Sequence, residues 1–448
     1  MAKELMNGSG NSRRTPELLS GRTLLIFPKA FEQNTVPPLG MSLLASCLRN
    51  AGHGVDLLDL TVQPFPDIDY QEYSVIGMTL LCTNFPSGTE LARRIRSHNS
   101  SACIVAGGPF ADACADEVLK TEVFDIVAHG EGEQLLPELV AAVMSGADLA
   151  NINGISFIQN GRILRTPSRQ LIADLNVLPF PAYDLLPMNS YPRHSVMASR
   201  GCPFACIFCD RGPSESRKMR YLKPGRVLEW AARMIRDFGS KPVRILDSTF
   251  TLNQTWAEEV CDRFIESKLG FRWHCQSRID CVNPELLRKM LASGCTQFAA
   301  GVDSGNDEIL KLSKKSLTKA EARRNAQLFR DTPGPPLHVN FVIGHPWDTL
   351  ESIQETVAFA DELVQDFGAQ CGFYMMVPFP GTELWKNALT YEIEIKKDWE
   401  NYVKLSFMGN PERLSATFNS KYLSAEDLTT VYRQIFQRKR PTARHHRY

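Results

Sequence analysis

Three cysteines, Cys202, Cys206 and Cys209, stand in a Cx3Cx2C spacing within Ser199-Arg-Gly-Cys-Pro-Phe-Ala-Cys-Ile-Phe-Cys-Asp210. Spacings this short let one loop turn three thiolates inward without a long excursion of chain. A four-iron, four-sulfur cluster ordinarily takes four cysteines. With no obvious fourth nearby, one iron would be left free to bind something else. Zinc is the inorganic rival, but its loops favour a cysteine pair with a second pair downstream, and none is present. Chance clustering is the weaker reading, because a reduced thiol cluster on an exposed loop is costly unless liganded. The other nine of the 12 cysteines lie mostly in apolar stretches, where a free thiol packs as a small hydrophobe.

Such a loop needs a rigid frame. From about residue 193, short apolar runs alternate with helical patterns. The strand candidates are 194–198, 243–247, 271–275, 297–301, 338–343 and 371–377. Between them, Ala257, Val260, Cys261 and Phe264 mark one helical face, and Ile353, Val357, Ala360 and Val364 another. Asp348 with Glu351 resembles a capping box opening the latter helix. Six β/α units predict an incomplete parallel barrel over 193–383, with chemistry at its C-terminal mouth. The cysteine loop follows the first of its strands.

An earlier stretch, 21–150, shows the same alternation. Its apolar runs are Thr23–Phe27, Val55–Leu58, Ser74–Met78, Ala102–Ala106 and Phe124–Ala128, each short and continuously apolar, as strands buried on both faces are. Leu44, Cys47, Leu48 and Ala51 define one helix ended by Gly52; Leu136, Leu139, Val140 and Val143 define another. The expected fold class is α/β, a doubly wound Rossmann-like sheet followed by a partial (β/α)6 barrel. Residues 151–192, with Pro167, Pro179, Pro181, Pro187 and Pro192, read as a linker, with a possible hairpin across Asn160-Gly161. Residues 1–20 read as a disordered leader, and 384–448 as an extension with a basic tail.

The chain has 448 residues, 43% hydrophobic and 22% charged, which excludes wholesale disorder. Lys+Arg and Asp+Glu both number 50, so nothing in the charge balance calls for a nucleic-acid or acidic-lipid partner. The basic tail carries no interleaved aromatic patch, and RNA or DNA binding is not expected. No run approaches the roughly 18 apolar residues of a membrane helix, and the N-terminus lacks the apolar core of a secretion signal. These features predict a soluble cytoplasmic protein without membrane insertion.

The cysteine motif resembles that of the radical S-adenosylmethionine (SAM) superfamily, and further segments match in order, one per barrel unit. Asp247-Ser248-Thr249 resembles the segment that contacts the SAM amino group. Gly301-Val-Asp303-Ser304-Gly305 resembles the family's GVESG, with Asp303 in place of Glu. Ile343-Gly344 resembles the adenine-binding segment and Val377-Pro378 the closing turn, while Phe208 matches the apolar residue packed on adenine. By this resemblance Cys202, Cys206 and Cys209 hold a [4Fe-4S] cluster that chelates SAM. Reductive cleavage of SAM then gives a 5′-deoxyadenosyl radical.

The first domain resembles the cobalamin-binding domain fused to many such enzymes. The resemblance rests on Val36-Pro-Pro38-Leu39-Gly40-Met41, Val105-Ala-Gly107-Gly108-Pro109, His129-Gly130-Glu131-Gly-Glu133 and Leu178-Pro-Phe-Pro-Ala-Tyr-Asp184. It implies cobalamin contacts at Pro38, Leu39, Gly40, Thr79, Leu80, Cys82, Gly107, Gly108, Pro109, Gly130 and Glu131. No DxHxxG cobalt-ligating loop follows the first strand, where Pro28-Lys-Ala-Phe31 stands instead, so no histidine lower ligand is expected. His53 and His129 read as ordinary surface or turn residues.

The resemblance implies C-methylation of an unactivated carbon in a small molecule or natural-product intermediate, through the 5′-deoxyadenosyl radical and methylcobalamin. The alternative is a radical rearrangement, cyclisation or oxidation with the same cofactors. A reducing donor such as flavodoxin or ferredoxin would be required. Polar residues at strand ends, His274, Gln276, Arg278, Asn340 and Tyr374, are candidate substrate or SAM contacts.

Overall fold

The computed structural model describes residues 21–30, 34–66, 68–209, 217–270, 272–403 and 414–437. The expected leader and the basic end from 438 lie outside them. In the first domain, β1 (Arg22–Phe27), β2 (Val55–Asp59), β3 (Tyr73–Thr79), β4 (Cys103–Gly107) and β5 (Ile126–Ala128) are all parallel, in the order β2-β1-β3-β4-β5. The order reverses between β1 and β3. At such a switch point, connections leave to opposite faces of the sheet and open a crevice beyond the carboxyl ends of the strands.

Two antiparallel strands, β6 (Ile155–Gln159) and β7 (Arg162–Arg165), extend this sheet from the β5 edge. Their turn uses Asn160 and Gly161 at φ 51° and 74°, the left-handed pair that a tight hairpin requires. The hairpin therefore belongs to the first sheet, and the irregular connection begins only after it. The helix Leu39–Asn50 buries Met41, Ala45 and Leu48 together with Ser42, Leu43 and Ser46. The expected stripe through Leu44, Cys47 and Ala51 is displaced, and Ala51 is an exposed cap. The cause is cover on a second side. Ser46 donates to the Phe180 carbonyl and Ala182 donates to that of Ser42, so the proline-rich connection lies over the helix.

The second domain begins with β8 (His194–Val196), from which a short ribbon of β9 (Ser199–Arg200) and β10 (Arg220–Tyr221) frames the cysteine loop. The barrel continues with β11 (Val243–Ile245), β12 (Trp273–Ser277), β13 (Cys295–Asp303), β14 (Leu337–Ile343) and β15 (Gln370–Met375). All are parallel, in the order β8-β11-β12-β13-β14-β15. The helix Leu350–Phe367 is capped by Thr349 with Ser352, not by Asp348 with Glu351. Asp348 turns back instead, accepting from the backbone of Gly344 and His345 at 2.9 Å each. A small antiparallel pair, β16 (Ile393–Ile395) with β17 (Phe418–Ser420), and the helix Ala425–Gln437 are the last elements among the described residues.

Two apolar cores run through the molecule. One joins the Leu25 and Phe27 face of the first sheet to the barrel. The other joins the Leu24 and Ile26 face to Ile343 and Met375 of the barrel and to Leu414–Ile435 of the extension. The domains are thus welded on both faces of the first sheet.

Candidate active site

The cysteine loop leaves the carboxyl end of β8. Asp247, two residues beyond β11, accepts from the backbone of Ala198 at 2.9 Å and of Ser199 at 3.0 Å, and from the Ser199 hydroxyl at 2.7 Å. This carboxylate therefore fixes the direction in which the loop departs. Further along, Ile207 donates to the Ser313 carbonyl and its own carbonyl accepts from Leu384, so the loop is held from both sides. Arg278 stacks over Phe204 at 3.9 Å while bonding Asp280 and the carbonyls of Lys315 and Ser316. Arg278, a candidate substrate or SAM contact from the sequence, thus props the loop.

Cys202 is buried with its Sγ 3.7 Å from Thr249 Oγ1, Cys206 is half-buried and Cys209 is exposed. All twelve cysteines are free thiols. Burial pushes the Cys206 thiol above its ordinary pKa, against the opposing charges of Lys315 and Arg278. Metal binding there must displace a proton. Among the described residues, no three His, Cys, Asp or Glu side chains converge as a single metal ion requires. A lone zinc, bonded to sulfur at about 2.3 Å, would need that convergence. Three thiols on one anchored loop are the donor set that a four-iron cluster with one open iron takes, so the residues present fit the cluster.

Around this loop, Asp303 takes φ 73° and its carboxylate meets Lys315 Nζ at 2.5 Å, both side chains buried. A side chain at Gly301 would press on both partners, at 3.1 and 3.2 Å. Ser304 contacts the Thr356 hydroxyl at 3.2 Å. At Gly305 a Cβ would come within 2.8 Å of Thr356 Cα, so this glycine is required by helix packing. Ile343 is buried, Gly344 turns at φ 86°, and the Pro378 carbonyl accepts from Tyr402. Phe208 meets the His345 ring edge-on at 5.4 Å. His345 itself is 1% exposed with both ring nitrogens lacking a hydrogen-bond partner, and the Asn340 Oδ1 atom is buried and unpartnered. The orphaned His345 nitrogens, beside Phe208 of the cysteine loop, suit a missing polar ligand, and the site fits SAM on that ground.

The carboxyl edge of the first sheet lies against the same region. Ser195 of β8 donates to the Pro37 carbonyl at 3.0 Å, next to Pro38, Leu39 and Gly40. A Cβ at Gly40 would meet nothing within 4 Å, and at Gly107 only Ala128, at 4.0 Å. Two bare backbone positions beside open space are what a broad flat ring needs in order to approach. Gly108, at φ 92°, brings its backbone against Leu80, whose N–H donates to Gly107 and whose carbonyl accepts from Phe110. Leu80 and Cys82 are buried, Thr79 is half-buried, and Pro109 opens a short helix. His129, expected as an ordinary turn residue, is held between Asp112 at 2.7 Å and Ser156 at 2.8 Å.

Glu131, expected near cobalamin beside Gly130, forms ion pairs across the domain boundary. It bonds Arg200 and Arg220, each at 2.9 Å, and accepts from the Ile172 N–H, while Arg200 also bridges to Glu133. Two carboxylates of the first domain thus grip two guanidiniums that flank the cysteine loop. Neither arginine stood out in the sequence, since single charges beside a motif are common. Arg244 and His338, which share strand faces with His274, Asn340 and Tyr374, were also missed, although their alternation with Val243 and Ile245, and with Leu337 and Val339, was a readable signal.

Against known families, residues 196–360 match the radical SAM superfamily and residues 33–140 match the B12 binding domain. An uncharacterized methyltransferase of Pyrococcus horikoshii is 28% identical, covering 93% of this chain and 91% of its own. The anaerobic magnesium-protoporphyrin IX monomethyl ester cyclase of Rubrivivax gelatinosus is 24% identical, covering 82% and 68%. Among solved structures, the radical SAM methyltransferase TsrM from Kitasatospora setae, with cobalamin and a [4Fe-4S] cluster bound, superposes with a TM-score of 0.71 over 85% of this chain and 78% of its own. At 18% identity, that likeness is one of fold.

The chain thus joins a B12 binding domain to a radical SAM domain. It is an enzyme of the radical SAM kind, and its cofactors are a [4Fe-4S] cluster, SAM and cobalamin. No helix among the described residues is long and apolar enough to cross a membrane.

Proposed function

We propose that this enzyme transfers a methyl group from SAM to an unactivated carbon of a small molecule, the substrate lying between the barrel mouth and the carboxyl edge of the first sheet. One observation supports this above the others. The Glu133–Arg200–Glu131–Arg220 grip ties the residues that flank the loop of Cys202, Cys206 and Cys209 to the segment that follows the last parallel strand of the first sheet. When bound, the cofactors supply hydrogen abstraction from carbon and a methyl group carried on cobalt.

The protein's part is position and exclusion. Cys202, Cys206 and Cys209 would hold the cluster, with Asp247 and Arg278 keeping their loop in place. Asp303, paired to Lys315, and Ser304 would line the SAM side with Ser248 and Thr249; Phe208, Ile343, Gly344 and Pro378 would form the adenine wall. The two apolar cores shut water out from behind the site. A cytoplasmic setting suits the free thiols, and a flavodoxin or ferredoxin would deliver the electron. The cyclase relative favours a second reading, ring closure without methyl transfer.

The test is incubation of anaerobically reconstituted enzyme with CD3-labelled SAM and extracts containing candidate substrates. Transfer of the label to product is expected, and Cys206→Ala should abolish it together with 5′-deoxyadenosine formation. A product without label selects the second reading. A Cys206→Ala variant that still forms 5′-deoxyadenosine would refute the cluster assignment.

A further inference from the structure

The described residues from 384 to 437 lie outside the radical SAM and B12 binding matches, which end at 360 and 140. They touch the site at several points. Leu384 donates to the Ile207 carbonyl of the cysteine loop at 2.9 Å, and Tyr432 donates to the Phe373 carbonyl of β15 at 3.1 Å. Two further side chains reach the turns that follow β14 and β15. Leu428 packs so closely on Gly344 that a Cβ there would overlap its methyl groups. Tyr402, 0% exposed, donates to the Pro378 carbonyl at 3.1 Å.

Those two turns are poorly equipped to hold themselves. Gly344 sits at φ 86° with no side chain of its own to pack. Asp348 accepts from its N–H, and Leu428 supplies the apolar contact that the glycine lacks. In Val377-Pro378-Phe379-Pro380 the two prolines have no N–H with which to pin the turn. Support at the Pro378 carbonyl comes from outside. That support is itself anchored, because Tyr402 stands on the short helix Trp399–Val403 with Trp399 one turn before it. The Trp399 ring meets Phe110 of the first domain at 4.8 Å, its N–H donates to Glu117 at 2.5 Å, and Trp385 stacks on it at 6.0 Å. An indole seated on the first domain thus fixes where the tyrosine hydroxyl stands.

We propose that Tyr402 and Leu428 are positioning residues for SAM, holding the Pro378 and Gly344 turns in the shape that receives the adenine. The inference rests on those turns forming the adenine wall, as proposed above. A wall already in place spares the ligand the cost of ordering it, so loosening either turn is read as lost affinity.

The test is equilibrium dialysis of SAM against the whole cluster-reconstituted chain, with iron content, hydroxocobalamin retention and the urea midpoint measured alongside. Tyr402→Phe deletes one hydroxyl and should weaken SAM binding about three- to tenfold, the scale of one hydrogen bond. Leu428→Ala should weaken it by at least as much, and Leu428→Met, which restores the volume, should recover it. In all three, iron and cobalamin should stay at the parent's level. Leu389→Ala, at an exposed site of the same extension, should change nothing. Phe208→Ala tests the wall by itself, since that ring lies on the cysteine loop. Weakened binding in Phe208→Ala with unchanged affinity in Tyr402→Phe and Leu428→Ala overturns this proposal and leaves the wall standing. The reverse pattern refutes the wall as drawn and keeps the extension's part in holding SAM. A lower urea midpoint without loss of affinity, or a parallel loss of iron and cobalamin, also overturns the proposal, because the extension would then serve folding alone.

Discussion

Replacing Arg200 by methionine removes the guanidinium that bridges Glu131 and Glu133 across the domain boundary. Glu131 keeps Arg220, but among the described residues Glu133 has no other ion-pair partner, and its side chain is only 6% exposed. Stripping one partner from a buried pair costs about 3–5 kcal/mol, chiefly because the remaining charge is stranded. Arg200 itself is 17% exposed, which places the expected loss near the lower end, at about 3 kcal/mol. Adding Glu133→Gln removes the stranded charge, and the double variant should regain about 2 kcal/mol of that loss.

The assay is urea unfolding of the anaerobic protein, read by fluorescence and by circular dichroism so that separate domain transitions are visible. Burial alone would raise the Glu131 carboxyl, but bonds from Arg220 and Ile172 and the charge of Arg200 outweigh it and hold the pKa below 4.5. Because the folded value is the lower one, this contribution is complete above pH 4.5 and fades as the pH falls through the folded value. Glu131→Gln should therefore flatten the acid limb of the stability profile. An Arg200→Met protein within about 1 kcal/mol of the parent, or a double variant no better than the single one, would show that the grip does not hold the domains.

Other consequences can be measured in the same way. His274, which burial holds at about pKa 4 against an ordinary 6.5, stabilises the fold fully above pH 6.5 and loses that contribution as the pH falls toward 4. His274→Gln should remove roughly 3 kcal/mol of pH-dependent stability over that interval, and an unchanged pH profile would contradict the burial argument. Lys315→Met strands the buried Asp303 carboxylate, so SAM affinity measured by equilibrium dialysis should fall while Lys314→Met, at the exposed neighbour, leaves it alone. Gly305→Ala forces a methyl to within 2.8 Å of Thr356 Cα and Phe359 Cβ; a loss of about 1–3 kcal/mol in urea is expected.

Strand order along the chain was legible because strands buried on both faces of the first sheet leave continuous apolar runs and the barrel strands still carry apolar residues at alternate positions; all eleven expected runs became strands of the two main sheets. Helix faces were less so. The helix Leu39–Asn50 is covered from two sides, which buries serines that periodicity alone assigns to solvent. The cysteine loop could be read since its chemistry is local. Lys315, Arg200, Arg220 and Glu133 act through partners 12 to 89 residues away, and sequence carries no sign of such pairings. Arg278 illustrates the converse: its type suggested a substrate or SAM contact, yet the Asp280 carboxylate and the carbonyls of Lys315 and Ser316 take up its donors while its face covers Phe204.

Phe85 and Phe110 of the first domain meet Trp399 of the extension, with ring centroids 6.2 and 4.8 Å apart. On the ribosome, nearly 300 residues are made between Phe110 and that tryptophan. At about 5–20 residues per second, the aromatic rim of the nascent sheet stays wet for roughly 15–60 s. Closure of that seam must wait until the extension that carries Trp399 has been made and released.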